Sequence, residues 1–372
     1  MKPIHKWKLF GCTLMLIGLL SVAGCGGGGG TPASGTSGGN SSPPPPALGG
    51  TTALTPAGPT AVFSLAVAIN DANTIVGTAE TTAGSIFTAA FWTVDATGTT
   101  ASAPTALESL TPGGYSSGFA LDAAGDIVGQ ADDGLALVAV LWRSGSTTPE
   151  ALPALFPGGF STAYGISPDG NLIVGEAEDA SFTTRAVAWP VNAGVVQSPL
   201  TLPEAFALPD LPGTFASAYA VNDAGWIVGE VEDDGGQSHA VYWQPDGNGG
   251  YTMGDLRGGG EISSLAQGIN SLNQIVGESE TSPGSFAPAL WADDGTGEFK
   301  RTEVATVGGA ASINDTGRIA GWDGPTPKAR VWDADSLSGT DLFSTASQAY
   351  AINNNDLVVG HNGTEGFVRL TR

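Results

Sequence analysis

Residues 217–230 read Ser217-Ala218-Tyr219-Ala220-Val221-Asn222-Asp223-Ala224-Gly225-Trp226-Ile227-Val228-Gly229-Glu230. The first five alternate small and large side chains, the period-two pattern of a strand with two unlike faces. Asn222-Asp223-Ala224-Gly225 is turn chemistry, because Asn and Asp side chains cap a turn and Gly supplies positive φ at no steric cost. Ile227-Val228-Gly229 is short and β-branched, so it returns as the second arm of a hairpin. Residues 240–243 (Ala-Val-Tyr-Trp) supply a third strand, and 251–256 a fourth after a Gly/Asn turn. Four short strands joined by tight turns make one blade of a β-propeller.

The same stretch occurs seven times, closing at Gly77, Gly129, Gly175, Gly229, Gly277, Gly321 and Gly360. The spacings are 52, 46, 54, 48, 44 and 39 residues, a length typical of repeat architectures. Aligned on these glycines, one column holds Ala66, Gly118, Ala163, Ala218, Ala266, Ala310 and Ala349. Two residues on stand Ala68, Ala120, Gly165, Ala220, Gly268, Ser312 and Ala351. Nothing larger than Ser appears in either, as expected where innermost strands converge on an axis. Between them lie Val67, Phe119, Tyr164, Tyr219, Gln267, Ala311 and Tyr350, pointing to the opposite face. The column Ile69, Leu121, Ile166, Val221, Ile269, Ile313 and Ile352 should bury between neighbouring blades. The third strands end in Trp92, Trp142, Trp189, Trp243, Trp291 and Trp332, with Arg369 in the seventh copy. Six indoles in one column read as core packing rather than as a ligand platform.

The last copy stops at its third strand, 366–370, while an unmatched strand pattern, 51–56, precedes the first copy. If the N-terminal strand completes the seventh blade, two sheet edges are hidden and the ring closes. The expectation is an all-β fold: a seven-bladed β-propeller with four-stranded blades, closed by the N-terminal strand. A linear β-solenoid is the alternative, but it does not explain why the two ends complement each other.

Lys2, Lys6 and Lys8 precede an apolar stretch, 9–23, with the length of a signal-peptide core and too short for a membrane span. It ends in Val22-Ala23-Gly24-Cys25, which resembles the lipobox of bacterial lipoproteins. The resemblance implies cleavage after 1–24 and acyl chains on Cys25. Gly26, in place of Asp, implies release to the outer membrane. Residues 25–50 are nearly all Gly, Ser, Thr, Pro and Ala, a composition that cannot repay its ordering entropy. They read as a tether, leaving 51–372 as the repeat domain. The only cysteines are Cys12 and Cys25, so the domain has no disulfide, thiolate nucleophile or cysteine metal site.

Beyond the leader, ten Lys and Arg face 36 acids, a charge of −26. That argues against nucleic acid or anionic lipid as partner and suits an exported monomer that attracts cations. Acids cluster after the second strands, in Glu176/Glu178, Glu230/Glu232/Asp233 and Glu278/Glu280. Residues i and i+2 share a strand face, so these are expected to form a solvated acidic rim. Glu176, Glu178, Glu230, Glu232 and Asp233 are the candidate cation ligands, and oxygen donors suit Ca2+. No other cofactor is indicated. Paired carboxylates could also serve glycoside hydrolysis. His239 and His361 have neither a nucleophile motif nor metal-ligand spacing and read as surface or edge residues. The Asn/Asp pairs of the turns read as caps, since the loops are too short for a calcium-binding hand.

The runs of type Ile313-Asn314-Asp315-Thr316-Gly317-Arg318-Ile319-Ala320-Gly321 resemble the HAF extracellular repeat family, as do the later Ala-x-x-Trp and the Gly-Gly pairs such as Gly158-Gly159. The resemblance spans nearly all of 51–372 and implies an exported, propeller-like repeat protein with no set reaction. The chain departs from it in the third strands and in the missing seventh tryptophan. The function expected is a non-enzymatic, lipid-anchored scaffold that binds a protein or glycan, with no catalytic residues. The alternatives are a propeller enzyme acting on extracellular polysaccharide and a structural envelope component.

Overall fold

The computed structural model describes residues 50–56, 63–81, 86–204, 215–233, 235–258, 260–363 and 365–371. The leader, Cys25 and the tether up to residue 49 lie outside the described residues. Residues 48–372 form one compact unit.

The domain is a seven-bladed β-propeller, one antiparallel sheet per repeat. Blade 4 is representative: Ala216–Val221, Ile227–Glu232, Ser238–Pro245 and Tyr251–Asp255, in that order. Blade 3 differs at its outer edge, where Val195–Val196 and Leu200–Thr201 both pair with its third strand. The innermost strands pack on one another in sequence from Ser64–Ile69 to Gln348–Ile352, and the last packs on the first. Blade 7 takes its fourth strand from the N-terminal side. Thr51–Leu54 runs antiparallel to Glu365–Leu370, with Thr51 opposite Arg369 and Leu54 opposite Gly366. The ring is closed, so the solenoid alternative is set aside.

Each closing glycine has a steric cause. In every blade a β-bulge interrupts the pairing of the first two strands; in blade 4 it falls between Ala218 and Ala220. The bulge pushes a first-strand carbonyl over the glycine. A Cβ on Gly229 would lie 2.0 Å from the Ser217 oxygen, and one on Gly77 or Gly175 1.9 Å from the Leu65 or Thr162 oxygen. The small columns answer to the neighbouring blade instead. A Cβ on Gly165 would stand 2.8 Å from the Tyr219 oxygen, and one on Gly118 2.5 Å from Val76 Cγ2.

There is no single core. Seven hydrophobic clusters each combine residues of two adjacent blades, one at every junction. All six column tryptophans are almost fully buried. Five of their indole N–H groups donate to a carbonyl near the fourth strand of the preceding blade, at 2.7–3.1 Å. For Trp92 that acceptor is Thr55, so the closing segment fills the role its counterparts fill elsewhere. Arg369, the departure from the column, does the same job: its guanidinium donates to the Leu342 carbonyl and lies over the Phe343 ring.

The turn asparagines do more than cap. Asn222 Oδ1 accepts the Trp226 N–H of its own turn at 3.1 Å, while its amide donates to the Asn270 carbonyl of the next blade at 3.0 Å. Asn270, Asn314, Asn353 and Asn70 repeat the inter-blade bond, to Asn314, Asn353, Asn70 and Asp122 in turn. The donor half of the carboxamide therefore belts one face of the ring, across the point of closure. At the other end of the innermost strands, the buried hydroxyls of Ser64, Ser116, Ser161, Ser264 and Ser347 accept third-strand N–H groups from the preceding blade.

Candidate functional site

These structural positions are nearly uniform around the ring. Two positions on the inner wall are not. The bulge leaves one unpaired residue per blade on the innermost strand: Val67, Phe119, Tyr164, Tyr219, Gln267, Ala311 and Tyr350. The residue after each closing glycine lies beside it: Thr78, Gln130, Glu176, Glu230, Glu278, Trp322 and His361. The rings of Phe119 and Tyr164 stand 5.6 Å apart, and those of Tyr164 and Tyr219 5.5 Å apart, which links blades 2, 3 and 4 by aromatic contact. On the opposite side Tyr350 meets Trp322 at 6.5 Å and stacks on His361 at 5.6 Å.

Glu176 and Glu230 are buried on this wall, not solvated on a rim as their strand positions suggested. The reason is the bulge. It swings Tyr164 and Tyr219 over the carboxylates, and each phenol donates to one carboxylate oxygen. The second oxygen of Glu176 accepts the Ser217 hydroxyl of the next blade at 2.8 Å. Glu278 accepts the Gln267 amide at 3.2 Å and keeps a partly exposed face. Burial pushes the Glu176 and Glu278 carboxyls up to about 7 and moves Glu230 in the same direction, and the charge of Glu230 adds to both.

The other expected acids go elsewhere. Glu178, half-buried, accepts the Phe160 N–H at 3.2 Å. Glu232 lies farther along the same strand as Glu230, also half-buried. Asp233 turns outward to His239 at 2.9 Å; burial opposes its charge, but the His239 and backbone hydrogen bonds outweigh that and lower its pKa. Among the described residues no three acidic or imidazole side chains converge well enough to hold a metal ion. The five candidate cation ligands thus divide between the inner wall and the blade ends. The histidines also differ from their surface reading. His239 is buried against Asp233, and His361 shares a 2.9 Å hydrogen bond with Tyr350 while burial lowers its pKa.

Sequence reasoning did not single out Tyr164, Tyr219, Glu278, Tyr350 or His361 as a group. The signal was present in the register of the repeats: the position after the closing glycine is hydroxyl, amide, carboxylate, indole or imidazole, never aliphatic.

No protein-family model matches the chain, and no curated protein matches it, so the likeness to HAF repeats stands on the motif residues alone. Solved structures match at the level of fold. A lectin from Burkholderia pseudomallei aligns over 83% of this chain and 97% of its own, with 12% identity and a TM-score of 0.46. A TolB from Acinetobacter baumannii aligns over 81% and 80%, with 12% identity and a TM-score of 0.44. A gluconolactonase from Xanthomonas campestris aligns over 86% and 100%, with 14% identity and a TM-score of 0.40. Binding proteins and enzymes stand side by side among these propellers, so the likeness carries no function across.

Proposed function

We propose that this chain is an exported lipoprotein, held on the outer membrane by acyl groups on Cys25, whose propeller is a monomeric scaffold that binds a protein or glycan without acting on it. One observation carries the binding half. The internal repeats act as an alignment of the chain with itself, and the positions that build the fold barely vary from blade to blade. Ala, Gly, Trp, Asn and Ser recur where strands converge, cross or turn. The inner wall varies instead, with Glu after the closing glycine in blades 3 to 5 and Thr, Gln, Trp and His in the others, and it buries carboxylates and phenols. Burying a polar group costs free energy unless it is bonded, so such groups at non-repeating positions read as a recognition surface.

The test is a glycan and peptide array probed with the purified full chain, with and without Ca2+. Reproducible binding to a bounded set of spots, with the probe recovered intact, supports the reading. No binding to either array speaks for a structural envelope role. The enzymatic reading has one observation in its favour: carboxyls raised to about 7 lie where a general acid is most effective. Release of new reducing ends from an array glycan, abolished in Glu176→Gln, would establish that reading instead.

A further inference from the structure

One junction of the ring lacks the side chains that fill its neighbour. Between blades 4 and 5, Trp226 stacks on Tyr242 at 5.2 Å, and Tyr242 meets Phe299 at 5.0 Å. By strand register, the equivalent residues between blades 3 and 4 are Leu172, Ala188 and Tyr251. Only the third ring of the stack is kept. Ala188 is the smallest residue in its column: every other blade has Phe, Tyr, Leu or Val before the closing Trp or Arg of the third strand.

The space left open is a cavity of about 440 Å3. Leu172, Pro190, Leu200 and Tyr251 supply its apolar surface, Leu200 from the split outer edge of blade 3. Its polar rim is held in place by three turns. Asp169 accepts the Ser167 hydroxyl at 2.6 Å and the Asn171 side-chain amide at 2.7 Å, and its own N–H donates to Asp223 Oδ1 at 2.8 Å. On the far side Asp246 accepts the N–H groups of Asn248 and Gly250 at 2.7 and 2.9 Å. The rim is therefore set before any ligand arrives, which lowers the ordering cost of binding. Asp223 Oδ2 and the hydroxyl of half-buried Tyr251 have no hydrogen-bond partner among the described residues.

The chemistry of the ligand follows from this lining. It contains no Lys, Arg or His, so an anion finds no counter-charge. Both oxygens of Asp169 are engaged by Ser167 and Asn171, so its charge is already met from within the blade. What fits is a neutral molecule with one apolar face and hydroxyls around its edge. A pyranose ring has that form: its C–H face suits Leu172, Pro190 and Tyr251, and its hydroxyls suit Asp223, Asn171 and the phenol.

We propose that the cavity between blades 3 and 4 binds a neutral hexopyranose, either a free sugar or the end unit of a glycan. This site is separate from the inner wall and goes beyond the reading above. A single sugar in such a cavity binds on the order of 1 mM. It is released on washing and adds no spots to an array, so the two sites have separate tests.

Saturation-transfer NMR of the purified full chain tests the proposal, with glucose, galactose and mannose and their methyl glycosides as probes. The expected result is saturable transfer to at least one probe. It should be lost in Leu172→Trp, which copies Trp226 into blade 3 and fills the cavity, and weakened about fivefold or more in Asp223→Asn. Asp294→Asn, in the equivalent turn of blade 5 to that of Asp246, should behave like the parent. Transfer to a methyl glycoside assigns the site to the end of a glycan; transfer to free sugars alone assigns it to a monosaccharide. Melting curves establish that each variant is folded. Should Leu172→Trp fail, Asp223→Asn carries the test, because its Oδ1 still accepts the Asp169 N–H. No transfer to any probe, transfer that does not saturate, or equal transfer in all variants overturns the proposal and leaves the array test of the inner wall untouched. Loss in Glu230→Gln with retention in Leu172→Trp would assign the sugar to the inner wall, overturning this proposal and supporting that reading.

Discussion

Removing residues 51–56 should open the ring. The segment supplies the whole fourth strand of blade 7, so its loss exposes the edge of Glu365–Leu370. Leu54 is fully buried in the cluster joining blades 7 and 1, together with Ile75, Trp92 and Val368. Its burial contributes about 2–3 kcal/mol. The Trp92 indole loses its acceptor at Thr55, and Ser64 loses the Leu54 carbonyl that it meets at 2.6 Å. A buried donor left without a partner costs roughly 1–3 kcal/mol, and each lost ladder bond about 0.5–1.5 kcal/mol. The total is at least about 5 kcal/mol, a large part of a stability of about 5–15 kcal/mol. The assay is a thermal melt with a size-exclusion profile. The deletion should melt far below the parent and associate through the free edge, Leu54→Ala should fall between the two, and deletion of 30–35 should melt like the parent. If removing 51–56 leaves both the melt and the monomer peak unchanged, the closure does not hold the ring together and the reasoning is wrong.

Three further predictions concern separate parts of the account. Gly229→Ala drives a Cβ to 2.0 Å from the Ser217 oxygen and 3.0 Å from Ala218 Cα, all backbone that cannot swing away. It should cost at least about 1–3 kcal/mol in denaturant unfolding, whereas Gly50→Ala, with nothing within 4 Å, should be neutral. Glu176 and Glu278 hold their protons to about 7 in the folded chain against an ordinary 4.5, so the folded state binds more protons between those values. Their contribution is fully present below 4.5 and is lost as pH rises to about 7. The slope is at most about 1.4 kcal/mol per pH unit per group. A melting series over that window should flatten in Glu176→Gln, and an unchanged slope would remove the buried-carboxylate account. Metabolic labelling with a fatty acid should mark the parent but not Cys25→Ala; equal labelling of both would exclude the lipid anchor.

The blade count, the ring closure and the tryptophan column were legible in the sequence because each depends on local facts. Alternation, turn residues and the spacing of Gly77 to Gly360 need no knowledge of the neighbouring blade. The site was less legible because it is made between blades. That Glu176 bonds to a hydroxyl of the next blade and Glu230 does not depends on Ser217 and Leu265, 41 and 35 residues farther on. Period-two reasoning put Glu176 and Glu178 on one face correctly, but it could not show that the bulge at Tyr164 covers the first and leaves the second half-exposed. The asparagines were read by their acceptor oxygen, which caps the turn, while their donor reaches a carbonyl 39–52 residues away in sequence or across the closure. Arg369 seemed to break the tryptophan column, yet it preserves the column's hydrogen bond to the preceding blade.

The central claim is that recognition belongs to the variable inner wall and not to the outer loops. Array binding profiles of three full-length proteins test it: the parent, the inner-wall double variant Tyr219→Phe/Glu230→Gln, and a loop double variant Leu135→Ser/Phe182→Ser. Leu135 and Phe182 are 90% and 75% exposed, so the second variant alters the most open apolar surface without touching the wall. The account predicts that the inner-wall variant folds but loses the parent's spots, while the loop variant keeps them. Loss in the loop variant with retention in the inner-wall variant would contradict it.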